Sequence, residues 1–211
     1  MKTLISSKNI SMKKWISFSL TAALSAFLFI ACNSPKTESP AEPVKPSYGG
    51  FESQVKWGEH LVTIGGCNDC HTPKKMGPNG PEDDMSLMLS GHPAQMPPAN
   101  FDRMEAAKKG LIVTQTFTSW TGPWGTTFAA NLTSDSTGIG GWKEEQFLKA
   151  LKEKKWMGLE NTRPLMPPMS MMPATKMSDD ELKAIFAYLK TTAPIKNVSP
   201  EAVLLPPPAT K

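Results

Sequence analysis

Apolar residues recur at helical spacing in three places along the chain, and the middle between them keeps no such rhythm. From Glu52 onward, Trp57, Leu61 and Ile64 fall at i, i+4 and i+7, which predicts a short helix ending at Gly65-Gly66. A second helix is predicted from Trp142 to Lys155, with Phe147, Leu148 and Leu151 on one face and lysines near its C-terminal end, where they suit the helix dipole. The third pattern is the strongest. Ser178 and Glu181 spell a capping box, Leu182, Ile185, Phe186 and Leu189 mark one face, and Pro194 stops the helix.

Residues 72–100, rich in Gly, Pro and Met, read as a long loop with a short helix near Met85–Leu89, and residues 102–109 read as another. Residues 111–133 alternate β-branched and aromatic positions and are broken at Gly122-Pro123, as in a short hairpin or an extended segment lining something apolar. Residues 195–211, with three prolines in a row, read as a loosely attached tail. The expected fold class is all-α, with short helices joined by long loops. Such loops are costly to order unless something at their centre orders them.

Charge changes the picture only at the N-terminus. The formal net charge is +4, but Lys2, Lys8, Lys13 and Lys14 lie in the first 31 residues, which hold no acid. Without them, 19 of the 23 basic residues face 19 acidic ones, so no basic nucleic-acid surface is indicated. The same segment has the layout of an export signal: a basic start, then the apolar run ISFSLTAALSAFLFIA, short for a membrane span. Phe29-Ile30-Ala31-Cys32 resembles a bacterial lipobox, with Phe29 where Leu is usual, and this resemblance implies that Cys32 is the lipidated first residue of the mature chain. An uncleaved anchor helix is the alternative. The boundaries are then 1–31 for the signal, 32–50 for a Pro-rich tether, 51–194 for the functional domain and 195–211 for the tail.

With Cys32 assigned to lipid, two cysteines remain, too few for a disulfide framework. They stand in Cys67-Asn68-Asp69-Cys70-His71, and C-x-x-C-H is the attachment signature of a c-type haem. Two thiols at this spacing can add to the two vinyl groups of one porphyrin, and the adjacent histidine becomes the proximal iron ligand. A thioredoxin-like motif needs a strand before it, whereas a helix ending in Gly-Gly is expected here. A zinc site needs about four ligands, and this cluster offers three at most. One motif implies one haem c. Only His60, His71 and His92 exist, so a second histidine ligand would have to be His60 or, more aptly placed, His92.

The segment RPLMPPMSMM, from Arg163 to Met172, then gains a purpose. Proline stiffens the backbone while methionine is flexible and soft, a combination suited to holding one sulfur at a point. Met96, in QMPP, is the competing sulfur.

From about Glu52 to Thr192 the chain resembles the class I cytochromes c, on three features: a helix leading into CNDCH, a Met-Pro loop and a C-terminal amphipathic helix. It is similar in particular to the cytochrome c subunits that accept electrons from periplasmic dehydrogenases. Those often carry a run like Asn131-Leu132-Thr133 continuing to Thr137-Gly138-Ile139-Gly140-Gly141-Trp142, and later one like Arg163-Pro164-Leu165-Met166-Pro167-Pro168-Met169, where proline usually follows and Ser170 stands here.

The resemblance implies the class I cytochrome c fold, Met169 as distal ligand, and a carbonyl at Pro78, within Gly77-Pro78-Asn79, accepting the His71 N–H. Trp120, Trp124, Asn131 and Arg163 are further candidates for the haem surroundings, through N–H, amide and guanidinium groups that suit propionates. The implied function is single-electron transfer, not enzymatic turnover, between a donor dehydrogenase and an acceptor oxidase or another cytochrome. The implied place is the bacterial envelope, facing the periplasm on a lipid anchor, with Asn33 after the lipidated cysteine favouring the outer membrane. A haem peroxidase or gas-binding protein with a labile distal ligand is the alternative.

Overall fold

Gly58 lets two helices meet at their backbones. The computed structural model describes residues 47–97 and 99–205, and within them α1 (Gln54–Ile64) lies against α5 (Asp179–Leu189) with Gly58 over the backbone of Ala184. A Cβ on Gly58 would stand 1.9 Å from the Ala184 carbonyl oxygen. Ser53 caps α1 by accepting the Lys56 N–H, and the Ser178–Glu181 capping box on α5 is fully formed. The buried stripe of α1 is Gly58, Leu61 and Val62, so Ile64, expected on that face, falls outside it and is 65% exposed. Leu182, Ile185, Phe186 and Leu189 are all buried as their spacing predicts.

Helix α4 (Glu144–Lys152) completes the core, Phe147 meeting Phe186 with ring centroids 5.4 Å apart. Two smaller helices, α2 (Cys67–His71) and α3 (Arg103–Lys108), and four short 3-10 turns fill the connections. The Met85–Leu89 expectation is met by one of these turns, at Met85–Leu87.

The all-α expectation needs correction. Five α-helices are accompanied by two antiparallel sheets among the described residues. Strands β1 (Lys74–Gly77) and β2 (Gly80–Asp83) form a hairpin in the segment read as loop. Its faces carry ion pairs rather than an apolar stripe, Lys74–Asp83 at 2.6 Å and Lys75–Glu82 at 3.8 Å. Strands β3 (Val113–Gln115), β4 (Ser119–Gly122) and β5 (Gly125–Phe128) form a meander, and β6 (Val203–Leu204) adds to its β5 edge. Residues 195–205 are thus built into the fold, which corrects the expectation of a loose tail there. The signal, Cys32 and the tether up to residue 46 lie outside the described residues. No helix among the described residues is long and apolar enough to cross a membrane.

Candidate functional site

The turn Gly65-Gly66 aims the motif. Gly66 takes a left-handed backbone (φ 64°), where a side chain is disfavoured, and opens α2 so that Cys67, Cys70 and His71 border one cavity. The cavity, about 380 Å³, is walled mainly by apolar groups including Ile139, Trp142, Phe147, Leu151, Leu165 and Ile185. Burial pushes the Cys67 thiol up to about 11 and raises that of Cys70 as well, so neither is an activated thiolate. In haem-free protein, iodoacetamide at pH 8 is therefore expected to label both slowly, with the less buried Cys70 first. Peptide mass spectrometry reads the order; faster labelling of Cys67 would contradict this arrangement.

Burial also lowers the His71 pKa, against an opposing pull from a carbonyl, and leaves the imidazole neutral, the form that ligates metals. Its Nδ1 donates to the Ala130 carbonyl at 2.8 Å, which leaves Nε2 as the nitrogen able to ligate a metal. The expected acceptor, the Pro78 carbonyl, is corrected here: Pro78 belongs to the β1–β2 turn, and the irregular segment just after β5 brings Ala130 to His71 instead. The His71 carbonyl in turn accepts from Gly91 N at 2.7 Å.

The Met-Pro segment forms another part of the wall. Met166, Met169 and Met172 border the cavity, whereas Met171 is 73% exposed. Leu165 N donates to the Lys154 carbonyl (2.6 Å), Thr127 Oγ1 to the Pro167 carbonyl (2.8 Å) and Ser170 N to the Met166 carbonyl (3.2 Å). Met169 opens a 3-10 turn, Met169–Met171, and packs on the core. Neither Met96 nor His92 borders the cavity. His92 is fully buried elsewhere, its Nδ1 2.8 Å from Thr118 Oγ1 and its ring against Phe128. His60 is exposed and lies against Phe51.

The remaining candidates divide. Trp120 borders the cavity; Trp124 does not, because it sits in the β4–β5 turn with its ring folded over Gly122. Asn131 borders it, but its amide is fully engaged. Its Oδ1 accepts from Thr133 N (2.9 Å) and Oγ1 (2.7 Å), and its Nδ2 donates to the carbonyls of Ile195 (2.8 Å) and Asn197 (3.2 Å). Asn131 ties loops together and has no donor left for a carboxylate. Arg163 lines the cavity as its only Lys or Arg among the described residues, stacked 3.9 Å from the Trp156 ring centroid.

A family model described as Cytochrome c matches residues 55–193, more than half of the chain. The chain belongs to the cytochrome c family. No curated protein matches it. The family implies a covalently bound haem c, and the residues present fit one: two thiols and a neutral imidazole open on an apolar cavity that three thioethers also border. Sequence reasoning missed Ala130, a main-chain acceptor with no side-chain signal, and Ser199, whose buried hydroxyl has no partner among the described residues.

Proposed function

We propose that this cytochrome c is a single-electron carrier holding one haem c through thioethers at Cys67 and Cys70, with His71 and Met169 as axial ligands. The observation that carries the reading is a shared cavity: the attachment motif and the Met169 thioether border the same apolar space, and neither Met96 nor His92 reaches it. The haem supplies reversible one-electron chemistry at iron. The protein's own contribution is to hold Nε2 of His71 in its ligating tautomer, to keep water from the apolar walls and to present a sulfur from a braced loop. A haem held by both His71 and Met169 would leave no open position for a substrate, and on that reading the protein is a carrier rather than a peroxidase or gas-binding protein.

The wider context is part of the same proposal. Export and lipidation at Cys32 would tether the domain at the bacterial envelope, outer membrane favoured, through the 32–50 segment. There it would pass electrons from a donor dehydrogenase to an oxidase or another cytochrome. The test is a spectrum of the protein from a host that matures c-type cytochromes. We expect a haem c spectrum with the long-wavelength band of methionine-ligated ferric haem, and a reduced form that is slow to bind carbon monoxide. Absence of that band together with rapid carbon monoxide binding would replace the carrier reading with the labile-ligand one.

A further inference from the structure

The family match ends at residue 193, yet the segment after α5 returns to the haem cavity. It is clasped first at Asn197, whose Nδ2 donates to the carbonyls of Ser90 (2.7 Å) and His92 (2.9 Å). The Asn197 N–H donates to Thr137 Oγ1 (3.0 Å), and its Oδ1 accepts from Ala94 N (2.9 Å). The far end is held by the pairing of β6 with β5 and by Leu205 N donating to the Trp124 carbonyl at 3.0 Å. Between these anchors, Val198, Ser199, Pro200 and Glu201 form part of the cavity wall.

Ser199 Oγ is buried and has no hydrogen-bond partner among the described residues. A buried hydroxyl left unpaired is costly and rare in a folded protein, so a hydroxyl of this kind in a ligand cavity points to a group on the ligand. Haem offers two such groups, its carboxylates, and each calls for a donor. The one guanidinium on the cavity wall among the described residues, at Arg163, suits the same anions.

We propose that residues 198–201 are a wall of the haem site, in which Ser199 Oγ donates to a haem propionate that Arg163 also neutralises. The inference rests on the cavity holding haem c. It extends the site beyond the family-matched span and gives the C-terminal segment a role in setting the potential. An anionic propionate favours ferric iron, and a donor that draws off its charge favours the ferrous state. Loss of the Ser199 hydroxyl therefore lowers the potential and makes the propionate easier to protonate.

The experiment is an equilibrium redox titration of full-length holoprotein over a range of pH, for wild type, Ser199→Ala, Ser199→Thr and Arg163→Gln. Ser199→Ala is expected to lower the equilibrium constant for reduction by roughly three- to tenfold, tenfold being ~59 mV for one electron. The pH-dependent step of the potential should move upward. Ser199→Thr keeps the hydroxyl and should titrate like wild type, while Arg163→Gln shifts in the same direction as Ser199→Ala. Normal haem incorporation with an unmoved potential and pH profile in Ser199→Ala would overturn the assignment. So would equal shifts in the Ala and Thr variants. Should Ser199→Ala yield no holoprotein, an unmoved potential in Arg163→Gln would overturn it instead. Lack of a haem spectrum in wild type is a different failure, that of the underlying haem reading.

Discussion

Gly58→Ala is expected to destabilise the domain, although the same change in an exposed helix stabilises. In an open helix interior, alanine gains about 1 kcal/mol over glycine through backbone entropy. At Gly58 the new methyl would meet the Ala184 carbonyl oxygen at 1.9 Å, its carbon at 2.5 Å and Tyr188 Cβ at 2.9 Å. Two of these atoms are helix backbone and cannot swing aside, so α1 and α5 must separate. Separation loosens Leu61 and Val62 from Leu182, Ala184 and Ile185, all of them buried.

Overpacking of this kind costs about 1–3 kcal/mol, enough to reverse the propensity gain. Gly58→Val adds bulk and a β-branch and should cost roughly 3–5 kcal/mol, a large share of the ~5–15 kcal/mol that holds a domain together. For a chain of this size that corresponds to a Tm lower by roughly 6–20 °C. Gly141, which has nothing within 4 Å of its virtual Cβ and no positive φ, is the control, and Gly141→Ala should be neutral or slightly stabilising. Thermal unfolding of the three variants decides. A Gly58→Ala protein as stable as Gly141→Ala would mean that the helices do not meet as closely as described.

Gly58 also marks where sequence reasoning stops. The helices were readable because each buries one stripe against a shared core, and a stripe leaves its period in the sequence. The contact between two such stripes leaves none: nothing in QVKWGEHLVTI says that its glycine meets another backbone. The sheets were harder for a related reason. Strands β4 and β5, in the segment whose β-branched and aromatic alternation suggested a short hairpin, bury Ser119, Thr121, Thr126 and Thr127, hydroxyl residues of which Thr121 and Thr126 bond each other at 2.8 Å, and so show no apolar stripe to mark the sheet. The β1–β2 hairpin is charged on both faces.

The site divides along the same line. The proposed covalent chemistry would rest on side chains, so the sequence names Cys67, Cys70 and His71 as candidates, and the structure brings the three to one cavity. The parts that orient and enclose it are a carbonyl at Ala130, a clasp at Asn197 and a lone hydroxyl at Ser199, set by tertiary proximity. Asn131 shows the hazard of the reverse inference. It lies in the motif that carries the family likeness and borders the cavity, yet its polar atoms are used in bracing the loop.

Met169→Ala is expected to have the largest effect on function. Three thioethers border the cavity, all on a loop tied through backbone hydrogen bonds at Met166, Met169 and Met172, and the choice of Met169 rests on the likeness of Arg163–Met169 to the family's Met-Pro run. Met169 begins a 3-10 turn and its carbonyl accepts from Met172 N at 3.2 Å, while the preceding Pro167 carbonyl is tied to Thr127. Met166 and Met172 flank that turn, where their flexible side chains suit packing against an apolar cofactor. On the proposed ligation, removing the Met169 sulfur would withdraw a soft partner that favours ferrous iron, so the potential should fall by roughly 0.2 V, a fraction of the ~0.8 V range that axial ligands span. The methionine band should vanish from the ferric spectrum, and the reduced protein should bind carbon monoxide rapidly. Met166→Ala, Met172→Ala and Met96→Ala should each keep the band and shift the potential far less. Loss of the band in one of those three, with Met169→Ala retaining it, would move the ligand to that residue. A band that survives in all four single variants would mean that no single methionine is held as ligand, and the braced turn would then need another purpose.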